Sequence, residues 1–123
     1  MNSNHPSHLA MQCTQDMLLV SMPSEIDMAL HQEITQNILY NLKDNRCKGL
    51  VLDCSALMYL DNEEFCALLQ IISMAKLMGV IGCFLCLQPS VVNALAHLEA
   101  PLHLAVGFYN LEDAIQHLQQ NSI

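Results

Sequence analysis

Four acids near the middle of the chain supply the residue types that catalysis and metal binding use most often. Asp53 closes the apolar run Gly49-Leu50-Val51-Leu52, and Asp61, Glu63 and Glu64 follow together after Leu57-Met58-Tyr59-Leu60. A pair of carboxylates can share general acid and base roles or hold a magnesium ion. Such a pair needs a basic or nucleophilic partner, and none lies nearby in the sequence. The same acids have a plainer use. Asp61, with Glu64 three positions on, forms a capping box at the start of a helix. Acids in a first helical turn are also favoured by the helix dipole, by about 0.3–1 kcal/mol each. Capping alone accounts for the cluster.

Cys83-Phe84-Leu85-Cys86 has the spacing of a redox motif. Thiol–disulfide chemistry of that kind wants a thiolate at a helix N-terminus just after a strand. Both cysteines fall inside an apolar segment read as a strand, where positions three apart point to opposite faces. Core packing is therefore the expectation. The six histidines are scattered, and none has a Cys or acid partner at a zinc-ligand spacing. With four glycines in all, the chain holds no phosphate-cradling loop and no GxSxG elbow. No cofactor or metal is implied.

The elements that must position these residues alternate. Residues 1–10 are polar and read as a flexible tail, leaving residues 11–123 as one domain. One or two strands precede Pro23, with 17–22 the clearer. Asp27 caps a helix whose apolar positions are Leu30, Ile34, Ile38 and Leu42. The strand at 49–52 comes next, then a helix from about Asn62 to Met78 that stops at Gly79. Residues 80–87 read as another strand, Pro89 opens a third helix, and residues 102–106 read as a short last strand. Asn110 and Asp113 open the final helix. This order predicts an α/β fold: a mixed, mostly parallel sheet of four to five strands with four to five helices.

Composition narrows the function classes. The 123 residues are 53% apolar, enough for a single folded core. Twelve acids face four basic residues, too few positive charges to neutralise a run of phosphates, so nucleic acid is set aside. No apolar run approaches the roughly 20 residues of a membrane helix. The N-terminus lacks the basic start and apolar centre of a signal peptide. A cytoplasmic protein with reduced cysteines is expected.

The second helix carries more apolar surface than a sheet-packed helix needs. Phe65, Leu68, Leu69, Ile72 and Ala75 make one stripe, and Ala67, Ile71, Met74 and Met78 make another on an adjoining face. The second stripe is read as a partner surface, a use to which methionine is suited.

Several segments resemble the STAS domain, the fold of anti-sigma factor antagonists. They are Ser24-Glu25-Ile26-Asp27, the Leu52-Asp53-Cys54-Ser55 and Leu60-Asp61-Asn62 pattern, and Leu111-Glu112-Asp113-Ala114. Met74-Ala75-Lys76-Leu77-Met78-Gly79 and Gln88-Pro89-Ser90-Val91 look closer still to the RsbS type, the small scaffold subunit of the stressosome. The resemblance runs over roughly residues 14 to 120.

That resemblance implies binding rather than catalysis, in a bacterial partner-switching pathway. The implied partners are a switch-type serine kinase or anti-sigma factor and RsbR-like STAS paralogues, with self-association into a homo-oligomer. In the family the residue after the helix-opening Asp is typically a Ser or Thr that the kinase phosphorylates. Here it is Asn62, which has no hydroxyl to accept phosphate. Two readings stay open: Asn62 imitates the unphosphorylated state, or Glu63 and Glu64 imitate the phosphorylated one. The first is preferred, and Ser55 is a fallback phosphosite. The expected contact residues are Asp53, Ser55, Asp61, Asn62, Glu63, Ile71, Met74 and Met78. The alternative is a regulatory domain for a small ligand such as a nucleotide or anion, or a small enzyme, built on the Asp53 and Asp61 loop. It requires a pocket with convergent polar groups there.

Overall fold

A computed structural model describes residues 9–121, so the expected tail lies almost wholly outside the described residues. The first strand, β1, spans Ala10–Thr14 and turns back into β2, Met17–Ser21. Gln15 and Asp16 both have positive φ, the conformation of a two-residue hairpin turn whose twist matches its strands. Asp27 caps a short 3-10 turn, Met28–Leu30, that runs into α1, His31–Asp44. Then follow β3 (Gly49–Asp53), α2 (Asn62–Leu77), β4 (Ile81–Leu85), α3 (Pro89–His97), β5 (Gly107–Phe108) and α4 (Leu111–Asn121).

The five strands lie in sequence order, with β1 antiparallel to β2 and every other pair parallel. The mixed, mostly parallel sheet with four helices matches the expected class. Alternate residues of each strand feed opposite faces. Leu18, Val20, Leu50, Leu52 and Phe84 join α1, α2 and α3 in the larger core. Met17, Val51, Cys83 and Leu85 meet Ala114 and Leu118 of α4 on the other face. Gly49 allows that second layer to close: a Cβ there would stand 2.9 Å from both Leu118 Cδ1 and Met17 Cγ.

Two elements depart from the sequence reading. The expected strand at 102–106 is a 3-10 turn, Leu102–Leu104, followed by extended chain, and the pairing strand comes at Gly107–Phe108. The run is apolar enough for a strand, but the register set by β4 places Gly107 opposite Phe84 and Phe108 opposite Leu85. The strand read over 80–87 is also shorter, ending at Leu85. Cys86 sits just beyond it with φ +58°.

Candidate functional site

The carboxyl ends of β3 and β4 and the amino end of α2 meet at one edge of the molecule. The chain leaves β3 at Asp53, whose carbonyl accepts from the Met22 N–H at 2.9 Å. The Cys54 N–H then donates to the Leu85 carbonyl at 2.8 Å, holding this loop to the end of β4. Asp53 Oδ1 accepts from the Ser55 N–H at 3.0 Å, an Asx turn that redirects the chain. Gln88 Nε2, at the entry to α3, donates to the Ser55 carbonyl at 2.7 Å. The next segment is anchored by the Met58 N–H on the Ser24 carbonyl at 2.8 Å.

At the helix start both halves of the capping box form. Asp61 Oδ1 accepts from the Glu64 N–H at 2.8 Å, and Glu64 Oε1 accepts from the Asp61 N–H at 2.9 Å. Three of the four acids read as catalytic candidates therefore serve local backbone donors: Asp53 a turn, Asp61 and Glu64 a cap. Asn62 is the first residue of α2, exposed, and its Oδ1 accepts a weak bond from the Cys66 thiol at 3.6 Å. Glu63, next in the chain, and Ser55 are exposed as well.

The nearby thiols are not poised nucleophiles. Burial pushes Cys54 up to about 12, with the Asp53 carboxylate and Cys86 adding to the shift. Burial pushes Cys83 up to about 11. Thiols held this high stay protonated at neutral pH. Cys86 lies off the strand, and its thiol donates to the Tyr109 carbonyl at 2.7 Å. Among the described residues, no three His, Cys, Asp or Glu side chains gather as a metal site would require. No helix there is long and apolar enough to cross a membrane.

The second stripe of α2 does not survive as a surface. Ile71 is 0% exposed and Ala67 is buried, in place of the outward positions expected of them. The helix packs against α1 as well as the sheet, so its buried arc is wider and rotated toward α1. Ile71 joins the core that also holds Ile34, Ile38 and Leu42 of α1. Met74 and Met78 do remain exposed, at 40% and 44%, and Leu77, which belongs to neither stripe, is 90% exposed. These three lie at the far end of a 16-residue helix, about 24 Å long at about 1.5 Å per residue. They are not continuous with Asn62.

Sequence reasoning also passed over the apolar side chains beside the cap. Met58, Tyr59 and Leu98 are exposed. With Leu60, Asp61 and Val91 they line an open groove between the helix start and α3. The signal was present in Leu57-Met58-Tyr59-Leu60, where only Leu57 and Leu60 turn inward. Asp53 is not part of that groove's lining.

No match is found among curated proteins. Solved structures do match. A Moorella thermoacetica RsbS variant superposes with TM-score 0.74 at 23% identity, covering 91% of this chain and 95% of that one. The phosphorylated Bacillus cell fate determinant SpoIIAA gives TM-score 0.62 at 12% identity, covering 90% and 99%. The murine anion transporter Slc26a9 gives TM-score 0.67 at 19% identity, with 89% of this chain matching 19% of that much longer one. At these identities the likeness is one of fold. The profile of the STAS domain matches residues 8–118, nearly the full length, and the chain belongs to the STAS domain family.

Proposed function

We propose that the chain is a non-catalytic, cytoplasmic protein-interaction module, an anti-sigma factor antagonist of the RsbS scaffold kind that works by partner switching. The observation that carries this reading is Asn62, exposed at the first position of a fully capped helix whose Asp61 and Glu64 carboxylates are engaged in the cap. Carboxylates that already satisfy backbone donors are surface and scaffold, with no partner for acid–base work. The contact face has Asp53, Ser55, Asp61, Asn62 and Glu63 as its polar part and the apolar Met58 and Tyr59 beside them. An apolar cluster flanked by polar groups is the usual make-up of a protein interface.

Its partners in this reading are a switch-type serine kinase or anti-sigma factor and RsbR-like STAS paralogues. Asn62 holds the module in the unphosphorylated-like state, since an amide of serine-like polarity replaces the hydroxyl and adds no charge. Self-association uses the separate Met74, Leu77 and Met78 end of α2.

The test is to incubate the chain with a switch-type serine kinase from the same source and ATP, and map phosphate by mass spectrometry. The native chain stays unmodified over residues 53–62, and Asn62→Ser becomes a substrate. Phosphate on Ser55 of the native chain overturns the constitutive reading. Failure of the native chain to capture an RsbR-like paralogue overturns the scaffold role.

A further inference from the structure

The closest pair of thiols lies away from that face. Cys13 and Cys47, 34 positions apart in sequence, bring their sulfurs to 3.6 Å. Cys13 is exposed on β1, and Cys47 is buried in the turn between α1 and β3. The remaining thiols are engaged or enclosed. Cys54 Sγ is directed at the Leu52 carbonyl, Cys66 at Asn62 and Cys86 at the Tyr109 carbonyl. Cys83 is enclosed under α4.

We infer that Cys13 and Cys47 form a redox-modification site, at which hydrogen peroxide converts the two thiols into an intramolecular disulfide. The exposed Cys13 meets the oxidant first. Its thiolate attacks one oxygen of the peroxide, the O–O bond breaks, and Cys13 becomes a sulfenic acid as hydroxide leaves and takes up a proton. The Cys47 sulfur then attacks the Cys13 sulfur. The S–O bond breaks, and the departing oxygen leaves as water with the Cys47 proton. In total two thiols and one peroxide give one disulfide and two waters.

The division of labour follows from burial. Cys47 is pushed up to about 12 by burial first, then by the adjacent Cys13 and by Asp16. It remains a thiol in the resting protein and serves as the resolving partner, with proximity offsetting its low thiolate fraction. Bonded sulfurs lie about 2.05 Å apart, so the pair must close by roughly 1.5 Å. β1 has a strand neighbour on one side alone, which leaves it free to take up that movement. The bond ties this edge strand to the turn that leads into the central β3.

The experiment treats the reduced full chain with hydrogen peroxide and digests it with trypsin without reduction. Cleavage after Lys43, Arg46, Lys48 and Lys76 puts Cys13 on peptide 1–43 and Cys47 on peptide 47–48, with the other four cysteines elsewhere. The expected product is a 1–43/47–48 linked pair, lighter by two hydrogens, from protein that runs as a monomer on a non-reducing gel and reverts with dithiothreitol. Cys13→Ser, at an exposed position, abolishes the linked pair, and Cys66→Ser leaves it unchanged. Oxidation that stops at Cys13 alone, joins a different pair, or links two chains overturns the inference.

Discussion

Asp61 and Glu64 each accept the other's backbone N–H, at 2.8 and 2.9 Å, closing a ring at the first turn of α2. Removing the Asp61 side chain leaves the Glu64 N–H to water and opens one half of the ring. Asp61→Ala is expected to cost about 1 kcal/mol, read as a lowered urea midpoint. Asp61→Asn, which keeps an acceptor, loses less.

Ile71 and Met74 are three residues apart on the same helix yet have opposite surroundings. Ile71→Ala should cost about 2–5 kcal/mol by leaving a cavity in the core shared with α1. Met74→Glu should stay within about 0.5 kcal/mol while reducing self-association by light scattering. Equal destabilisation by the two changes would contradict the placement of Met74 at the surface.

Gly49 lies against Leu118 of α4 and Met17 of β2, with no room for a side chain. In Gly49→Ala the new methyl meets Leu118 and Met17 at 2.9 Å, an overpacking expected to cost about 1–3 kcal/mol. Trimming the obstruction tests the cause. Leu118→Ala costs stability alone but less than additively in the Gly49→Ala background, measured as a double-mutant cycle.

Cys54 gives the fold an alkaline limit. Folding raises its pKa from the ordinary 9.0 to about 12, so the native state holds the proton more tightly than the unfolded chain does. The stability linked to this group is intact below pH 9.0 and is lost as pH climbs toward about 12. Urea midpoints taken across that range should fall with pH. The decline should be shallower in Cys54→Ala, and an identical slope would remove burial of Cys54 as its cause.

Features set by near neighbours were legible in the sequence. The Asp61–Glu64 cap, the stop at Gly79 with φ +84° and the core face of α1 at Ile34, Ile38 and Leu42 all depend on short-range spacing. The alternation of strands and helices carried the sheet class, and the ordered segments from Ser24 to Ala114 carried the family. Features set by distant packing were not legible. Residues 102–106 have a strand's composition, but pairing is decided by where Phe84 and Leu85 find partners across the sheet. Ile71 belongs to a stripe that faces outward only until α1 is placed beside it. The approach of Cys13 to Cys47 depends on how the β1 hairpin and the end of α1 come together, which no local pattern records.

At the opening of α2, the two residues that hold the helix shut are not the residue that faces outward between them. Asp61 and Glu64 bear the mechanical work, and Asn62 contributes no side-chain bond to the cap. A substitution or added charge at position 62 therefore rewrites the electrostatic label on the surface and leaves the scaffold beneath it unmoved. In the proposed function, recognition at this point is a matter of reading, with no change of shape required.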